Sequence, residues 1–375
     1  MSPLRIAIDG RKINDFGIGT YLRNLIRLLP RLDTINEFHV LCYRQDEDLL
    51  RSFSSACRPV FVGAQNYSLS EHWAIPLALK RIRADLFHSP HYVLPFVTPC
   101  PAVVTVHDVI HLLFPQYLPS RFASHYARYM IGRALYHAKL VMTVSNASKQ
   151  DLLGFFDIDG DKIRVIPNGI DPALTRELEP EAIERIRRRF QLTGRNALFV
   201  GNIKPHKNVE RLIDAFARLR EDPAFSDLTL IVVGEEISKY PALRRAVERH
   251  KLRASVRFFG FVPEMTLVGL YRAADIFVFP SLYEGFGLPP LEAMANGTPV
   301  VTSRISSLPE VVGDAAITVD PYDIDEIAKA MKSILTDGSL RNRLIEAGHA
   351  QALRFSWESA VAQIHAAYMS ALGKN

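Results

Sequence analysis

Asp275-Ile276-Phe277-Val278-Phe279-Pro280 runs directly into Ser281-Leu282-Tyr283-Glu284-Gly285-Phe286-Gly287-Leu288-Pro289-Pro290-Leu291-Glu292-Ala293-Met294. The apolar residues of the first part are continuous rather than alternating, as in a short strand covered on both faces. The glycines that follow read as a turn, and the residues from Leu288 as a helix whose first turn accepts proline. A strand that feeds a helix through a glycine turn is the repeating unit of a parallel, doubly wound sheet. The same pattern repeats on both sides. Strand-like runs fall at Arg5–Asp9, Phe38–Tyr43, Arg58–Val62, Asp85–His88, Ala102–His107, Leu140–Val144 and Ile163–Ile166. A second series falls at Ala197–Val200, Leu228–Val233, Val256–Gly260, Asp275–Pro280, Pro299–Thr302 and Ala316–Val319. Helical segments such as Thr20–Leu29, Ser120–Ala138, Asn208–Leu219, Pro241–His250 and Ile324–Leu335 lie between them.

A break near 168–181, rich in proline and acid, separates the two series. The pattern predicts an α/β chain of two Rossmann-like, doubly wound parallel-sheet domains, with a ligand cleft between them. The boundaries expected are 1–170 for the first domain and 171–354 for the second, with a final helix, 355–375, packing back on the first. The length of 375 residues agrees, at roughly 150 per domain.

Composition narrows the class. Apolar residues are 48% and charged residues 23%, which excludes disordered, collagen-like and disulfide-scaffold chains. No apolar run reaches the roughly 18 residues of a membrane span, and Met1–Ile8 enters a strand with no leader pattern. Cys42, Cys57 and Cys100 have no metal spacing and read as reduced thiols, which predicts a cytoplasmic protein. The net charge is +5. Residues 1–171 hold 19 basic and 15 acidic side chains, and the remainder 26 and 25, so the excess sits in the first half. That excess is too small and too scattered for a nucleic-acid partner.

Phosphate chemistry of the usual kinds is missing. Gly17-Ile18-Gly19-Thr20-Tyr21-Leu22 lacks the third glycine of a dinucleotide fingerprint, and no G-x-x-x-x-G-K-[ST] loop exists. Gly17 and Gly19 still allow a close backbone approach at a helix start, although a plain tight turn explains them equally. In Gly201-Asn202-Ile203-Lys204-Pro205-His206-Lys207-Asn208, a helix start beside two ammonium groups would suit a diphosphate without a metal. Two solvated lysines are the plainer account of the same residues. Glu284 in the turn and Glu292 about two helical turns later fit an elongated ligand with two separate hydroxyl clusters. His107 closes the strand Ala102–His107 and could bond a hydroxyl or move a proton, where a structural histidine is the common alternative. His88, His91, His107 and His111 have no metal-like spacing, and no metal site is expected.

Together the Glu284-x7-Glu292 stretch, the Gly201–Lys207 turn, Val165–Asp171 and Val144-Ser145 resemble glycosyltransferase family 4 over essentially the whole chain. The resemblance implies a GT-B fold, its domains facing across a cleft, and a retaining enzyme that uses a nucleotide-diphosphate sugar. It implies Glu284 at the donor sugar's hydroxyls, Glu292 at the ribose, Lys207 at the diphosphate and His107 facing the sugar. The backbone of Phe286, Gly287 and Leu288 would cradle phosphate and sugar, Val262 would pack on the nucleobase, and Gly17–Gly19 would approach the diphosphate or acceptor.

The family usually has Arg where this chain has Asn202. The diphosphate would then rest on Lys207, with Lys204 compensating. The Asn-Ile-Lys-Pro-His-Lys-Asn form is similar to a bacterial mannosyltransferase subgroup of surface-polysaccharide assembly. It implies GDP-mannose as donor, a glycan or lipid-linked acceptor and no further cofactor. UDP-sugar-dependent glucosyl or N-acetylglucosaminyl transfer, a nucleotide-sugar epimerase on the same fold and a catalytically silent binding partner stay open. Finally, Ser120–Lys139 sets Arg121, Arg128, Arg133 and Lys139 among aromatic residues. Such a helix could touch anionic lipid at the inner membrane face, or bury its apolar side in the first domain.

Overall fold

The structure is a computed structural model that describes residues 3–118, 120–235 and 239–374. The readings made of Met1, Ser2, Asn375 and the Arg121 side chain lie outside the described residues. The chain divides into two compact units, Met1–Gly169 with Ser356–Asn375, and Ile170–Phe355.

The first unit is built on a seven-stranded sheet. Its strands are β1 (Arg5–Asp9), β2 (Glu37–Cys42), β3 (Cys57–Phe61), β4 (Leu86–Ser89), β5 (Ala102–Thr105), β6 (Leu140–Thr143) and β7 (Ile163–Val165). Their spatial order is β3-β2-β1-β4-β5-β6-β7, with every neighbouring pair parallel. The second unit carries β8 (Asn196–Gly201), β9 (Thr229–Gly234), β10 (Val256–Phe259), β11 (Ile276–Phe279), β12 (Val300–Ser303) and β13 (Ala316–Val319). Their order is β10-β9-β8-β11-β12-β13, again parallel throughout.

The strands read from unbroken apolar runs are the strands observed. Central strands are shielded on both faces: all four residues of β4, β5, β6, β11 and β12 are buried. Water on neither face removes the selection for alternation, so these segments carry Val, Ile, Leu and Phe in sequence. The last helix, Trp357–Ala371, belongs to the first unit. Its Trp357, Ile364 and Tyr368, all fully buried, share a core with Leu22, Ile26 and Leu29 of the helix Gly17–Leu32.

Strand order reverses once in each sheet, between β1 and β4 in the first unit and between β8 and β11 in the second. At such a point the connections leave toward opposite faces, which opens a crevice at the carboxyl ends of the two strands.

Candidate active site

In the second unit the crevice is formed by the segments after β8 and β11. After β8 the chain passes Asn202, makes a tight turn at Pro205–Lys207, and enters the helix Val209–Arg220 through Asn208, which is left-handed at φ +61°. The Asn208 amide donates to the carbonyls of Pro280 (2.9 Å) and Pro321 (2.7 Å), tying together the ends of three strands. Asparagine tolerates this backbone conformation better than larger residues do. The sequence reading passed over Asn208; its place after Lys207, at a helix entry, was the available signal.

The turn after β11 brings the two expected charged residues together. Lys207 Nζ lies 2.6 and 2.8 Å from the two carboxylate oxygens of Glu284, and the side chains are only 15% and 12% exposed. The ammonium also stands 5.3 Å from the Phe279 ring centroid. Neighbouring loops fix the backbone beneath this pair. Leu282 N–H and the Ser281 hydroxyl donate to the His206 carbonyl (2.7 and 3.1 Å). Ser306 and Ser307 donate to the Glu284 carbonyl (2.7 and 2.9 Å), and Ser307 also to that of Phe286 (2.6 Å). These two serines were not singled out from the sequence, because nothing in their own segment marks them as partners of a turn more than twenty residues earlier.

Gly287 sits at φ +111°, a conformation that excludes a side chain, and a Cβ there would come within 2.7 Å of Leu308. The helix Leu288–Ala295 begins next, with prolines in its first turn. Among the described residues the amides of Phe286, Gly287 and Leu288 have no acceptor, so three successive N–H groups remain open at this helix start. Lys204, by contrast, is exposed and has no acidic partner among the described residues. Val262 is half-buried in the segment between β10 and the helix Glu264–Ala273.

Glu292 lies on the inner part of the helix Leu288–Ala295 and accepts a 2.8 Å hydrogen bond from the Tyr271 hydroxyl. Burial pushes its carboxyl up to about 7, and the charge of Asp171 adds to the rise. A carboxyl so placed gains by meeting hydroxyl donors, because they stabilise the ionised form that burial disfavours.

In the first unit, Gly17 and Gly19 are not in a loop before a helix but in the first turn of Gly17–Leu32 itself. They differ in what they do. A Cβ on Gly19 would meet the Ile13 carbonyl oxygen at 2.6 Å, whereas one on Gly17 would meet nothing within 4 Å. Gly19 is therefore explained by packing, and Gly17 leaves an open backbone surface. His107 follows β5. Its Nε2 lies 3.1 Å from the Pro90 carbonyl and so carries the proton, which leaves Nδ1 as the acceptor of the neutral ring. Burial lowers its pKa, and the edge of Tyr21 packs against it at 5.0 Å between centroids. Among the described residues no group of three or more His, Cys, Asp or Glu is placed to hold a metal ion, and His88 is instead bonded to Thr105 and Tyr368.

Comparison with known proteins gives two family matches. The profile described as Glycosyltransferase Family 4 matches residues 17–174, and Glycosyl transferases group 1 matches residues 182–351. An O-antigen chain mannosyltransferase B of Escherichia coli is 35% identical over 292 residues, covering 78% of this chain and 76% of that protein. The serotype-specific mannosyltransferase WbdA of Escherichia coli is 29% identical over 353 residues, covering 89% of this chain but only 43% of its own length. Among solved structures, sucrose-phosphate synthase from Thermosynechococcus elongatus superposes with a TM-score of 0.80 at 21% identity, covering 99% of each chain.

Proposed function

The chain belongs to glycosyltransferase family 4 and is a glycosyltransferase, and from that premise we propose that it moves mannose from GDP-mannose, with retention, to a glycan or lipid-linked acceptor of surface-polysaccharide assembly. The carrying observation is the Lys207–Glu284 pair, held at 2.6 Å where the second sheet reverses its order. The names of the bacterial relatives support the choice of sugar and of pathway class.

In this reading a diphosphate draws the Lys207 ammonium toward itself and takes the free amides of Phe286, Gly287 and Leu288. Glu284, released from its ion pair, then accepts hydroxyls of the sugar. Glu292 receives the ribose diol, and Val262 packs against the base. With Asn202 in place of an arginine, no guanidinium is available at that position, and the helix start with Lys207 carries the charge. His107 offers Nδ1 to a hydroxyl of the transferred sugar. The bond from the anomeric carbon to the diphosphate oxygen breaks as the acceptor oxygen bonds to the same face. The acceptor's proton goes to the leaving phosphate.

Glu284→Ala and Lys207→Ala should each lower transfer by at least about 100-fold, the scale lost with one preorganised charge-stabilising group. Full turnover by either variant would remove the role given to that residue, and an inverted product anomer by NMR would remove retention. Melting-temperature shifts with GDP, UDP and ADP sugars rank the donors, since a ligand bound only to the folded form stabilises it. A larger shift with UDP-glucose than with GDP-mannose would replace the donor.

Membrane contact belongs to the same proposal. No helix among the described residues is long and apolar enough to cross a bilayer. The helix Arg121–His137 buries Ala127, Met130, Ile131, Ala134 and Leu135, yet Phe122, Tyr129 and Tyr136 are each at least 60% exposed. The expected burial of its apolar side therefore leaves a second, aromatic side outward. With Arg128 and Lys139 nearby in sequence, that side suits an anionic leaflet at the cytoplasmic membrane face. Binding to vesicles with phosphatidylglycerol that salt does not weaken, or no binding at all, would exclude it.

A further inference from the structure

Val262, the residue expected at the nucleobase, leads through Pro263 into the helix Glu264–Ala273, which carries Tyr271 near its end. Tyr271 is fully buried. Its ring lies 5.6 Å from that of Phe277 in β11, and its carbonyl accepts a 2.6 Å bond from the Thr298 hydroxyl. Ring and backbone are therefore fixed, and the phenol oxygen meets Glu292 Oε2 at 2.8 Å, on the helix Leu288–Ala295.

The bond has a direction. Burial, with the charge of Glu292, pushes the Tyr271 phenol well above its ordinary range, so the hydroxyl keeps its proton and donates. An ionised carboxylate is the stronger acceptor, so this donation favours the charged form of Glu292. Little else does. No cation among the described residues forms an ion pair with Glu292, and the charge of Asp171 opposes ionisation as burial does. Arg272, beside Tyr271, donates to Asn296 Oδ1 (3.2 Å) and to the Arg176 carbonyl (2.8 Å). The hydroxyl also leaves one carboxylate oxygen over. Glu292 is half-buried, and its Oε1 has no partner among the described residues and is not sealed from solvent.

We propose that Tyr271 is a positioning residue for nucleotide binding: it anchors Glu292 by Oε2 and keeps the carboxyl an acceptor, so that Oε1 meets the ribose hydroxyls. The assignment rests on the reading of Glu292 as the ribose ligand. It makes donor affinity depend on pH through a group at the ribose rather than at the diphosphate. A diol binds the ionised carboxyl, so affinity rises with pH until Glu292 has lost its proton, near 7, and is level above that. Without the tyrosine hydroxyl the level is reached only at higher pH.

The test titrates the full-length protein with GDP-mannose, and in parallel with UDP-glucose, between pH 5.5 and 8.5. Both probes carry the ribose, and their diphosphate diesters do not themselves titrate in this range. In Tyr271→Phe the affinity should level about one to two pH units higher than in wild type, the worth of one hydrogen bond to a charged group. The variant should then bind about ten- to hundredfold more weakly at pH 6, and within about fivefold of wild type at pH 8.5. A packing role alone would lower affinity equally at every pH or leave it untouched, and phenylalanine keeps the ring that fills the core. In a Glu292→Gln background, Tyr271→Phe should leave the pH profile unchanged. Carboxyl 13C NMR of the ligand-free protein reads the same Glu292 midpoint directly, its resonance identified by loss in Glu292→Gln. A carboxyl that Tyr271→Phe does not move, or an affinity loss equal at every pH, would overturn the part given to Tyr271 and leave the ribose reading in place. A carboxyl that does move, with wild-type binding of both probes absent or indifferent to pH, would instead remove the ribose from Glu292, and this assignment with it.

Discussion

At the scale of single residues, Glu292 carries a conflict between stability and binding. Its carboxyl is ordinary in the unfolded chain, near 4.5, and is raised to about 7 by burial in the folded one. The folded state therefore holds the proton more tightly, and stability declines as pH rises from about 4.5 to about 7, then stays level. Glu292→Gln removes that liability while preserving an acceptor for the Tyr271 hydroxyl. The variant should melt several degrees higher than wild type at pH 8 and at the same temperature at pH 4, given about 2–4 °C per kcal/mol for a unit of this size. It should also bind nucleotide about tenfold more weakly at pH 8, because an amide accepts fewer hydroxyl donors than a carboxylate. Equal melting temperatures at both pH values would show that burial does not tax the charge.

At the scale of elements, the turn between β11 and the helix Leu288–Ala295 depends on side chains that lie outside it. Ser307 is fully buried and donates to two carbonyls of the turn, those of Glu284 and Phe286. Ser307→Ala leaves the Phe286 carbonyl without its donor, while Ser306 still serves that of Glu284, and should cost about 1–3 kcal/mol of stability. If Ser307 is a positioning residue, transfer should fall further than the melting shift accounts for, with the donor KM rising. A variant that loses stability and keeps its KM would make the serine purely structural. This arrangement also explains what could be read in advance. The strands were legible because burial on both faces leaves an unbroken apolar run, and the Lys207 and Glu284 segments because both turns follow such runs. Tyr271, Ser306 and Ser307 were not, since their roles come from contacts between segments far apart in sequence. Gly17 and Gly19 looked alike as letters, and only the backbone around them separates a packing requirement from an open surface.

At the scale of the whole chain, the first unit is discontinuous: its sheet is complete by Val165, yet its core closes only with residues after 355. Trp357, Val361, Ile364 and Tyr368 are at most 1% exposed, and the Tyr368 hydroxyl bonds the buried His88 Nδ1 at 2.7 Å. His88 in turn meets Thr105, which bonds Tyr21, the residue whose ring edge packs on His107. Removal of residues 356–375 would uncover Leu22, Ile26 and Leu29 and strip a buried imidazole of one of its two partners. Losing several large apolar side chains at about 1.5–3 kcal/mol each is comparable to the total stability of most domains. The truncated chain should therefore show loss of amide-exchange protection throughout 3–169, including β1, whose sequence lies farthest from the cut. Protection in β8–β13 and the GDP melting shift should persist, because that sheet and the Lys207–Glu284 pair belong to the other unit. Retained protection in β1 and β4 would show that the first unit folds on its sheet and earlier helices alone. A lost GDP shift would show instead that nucleotide binding needs the first unit to be folded.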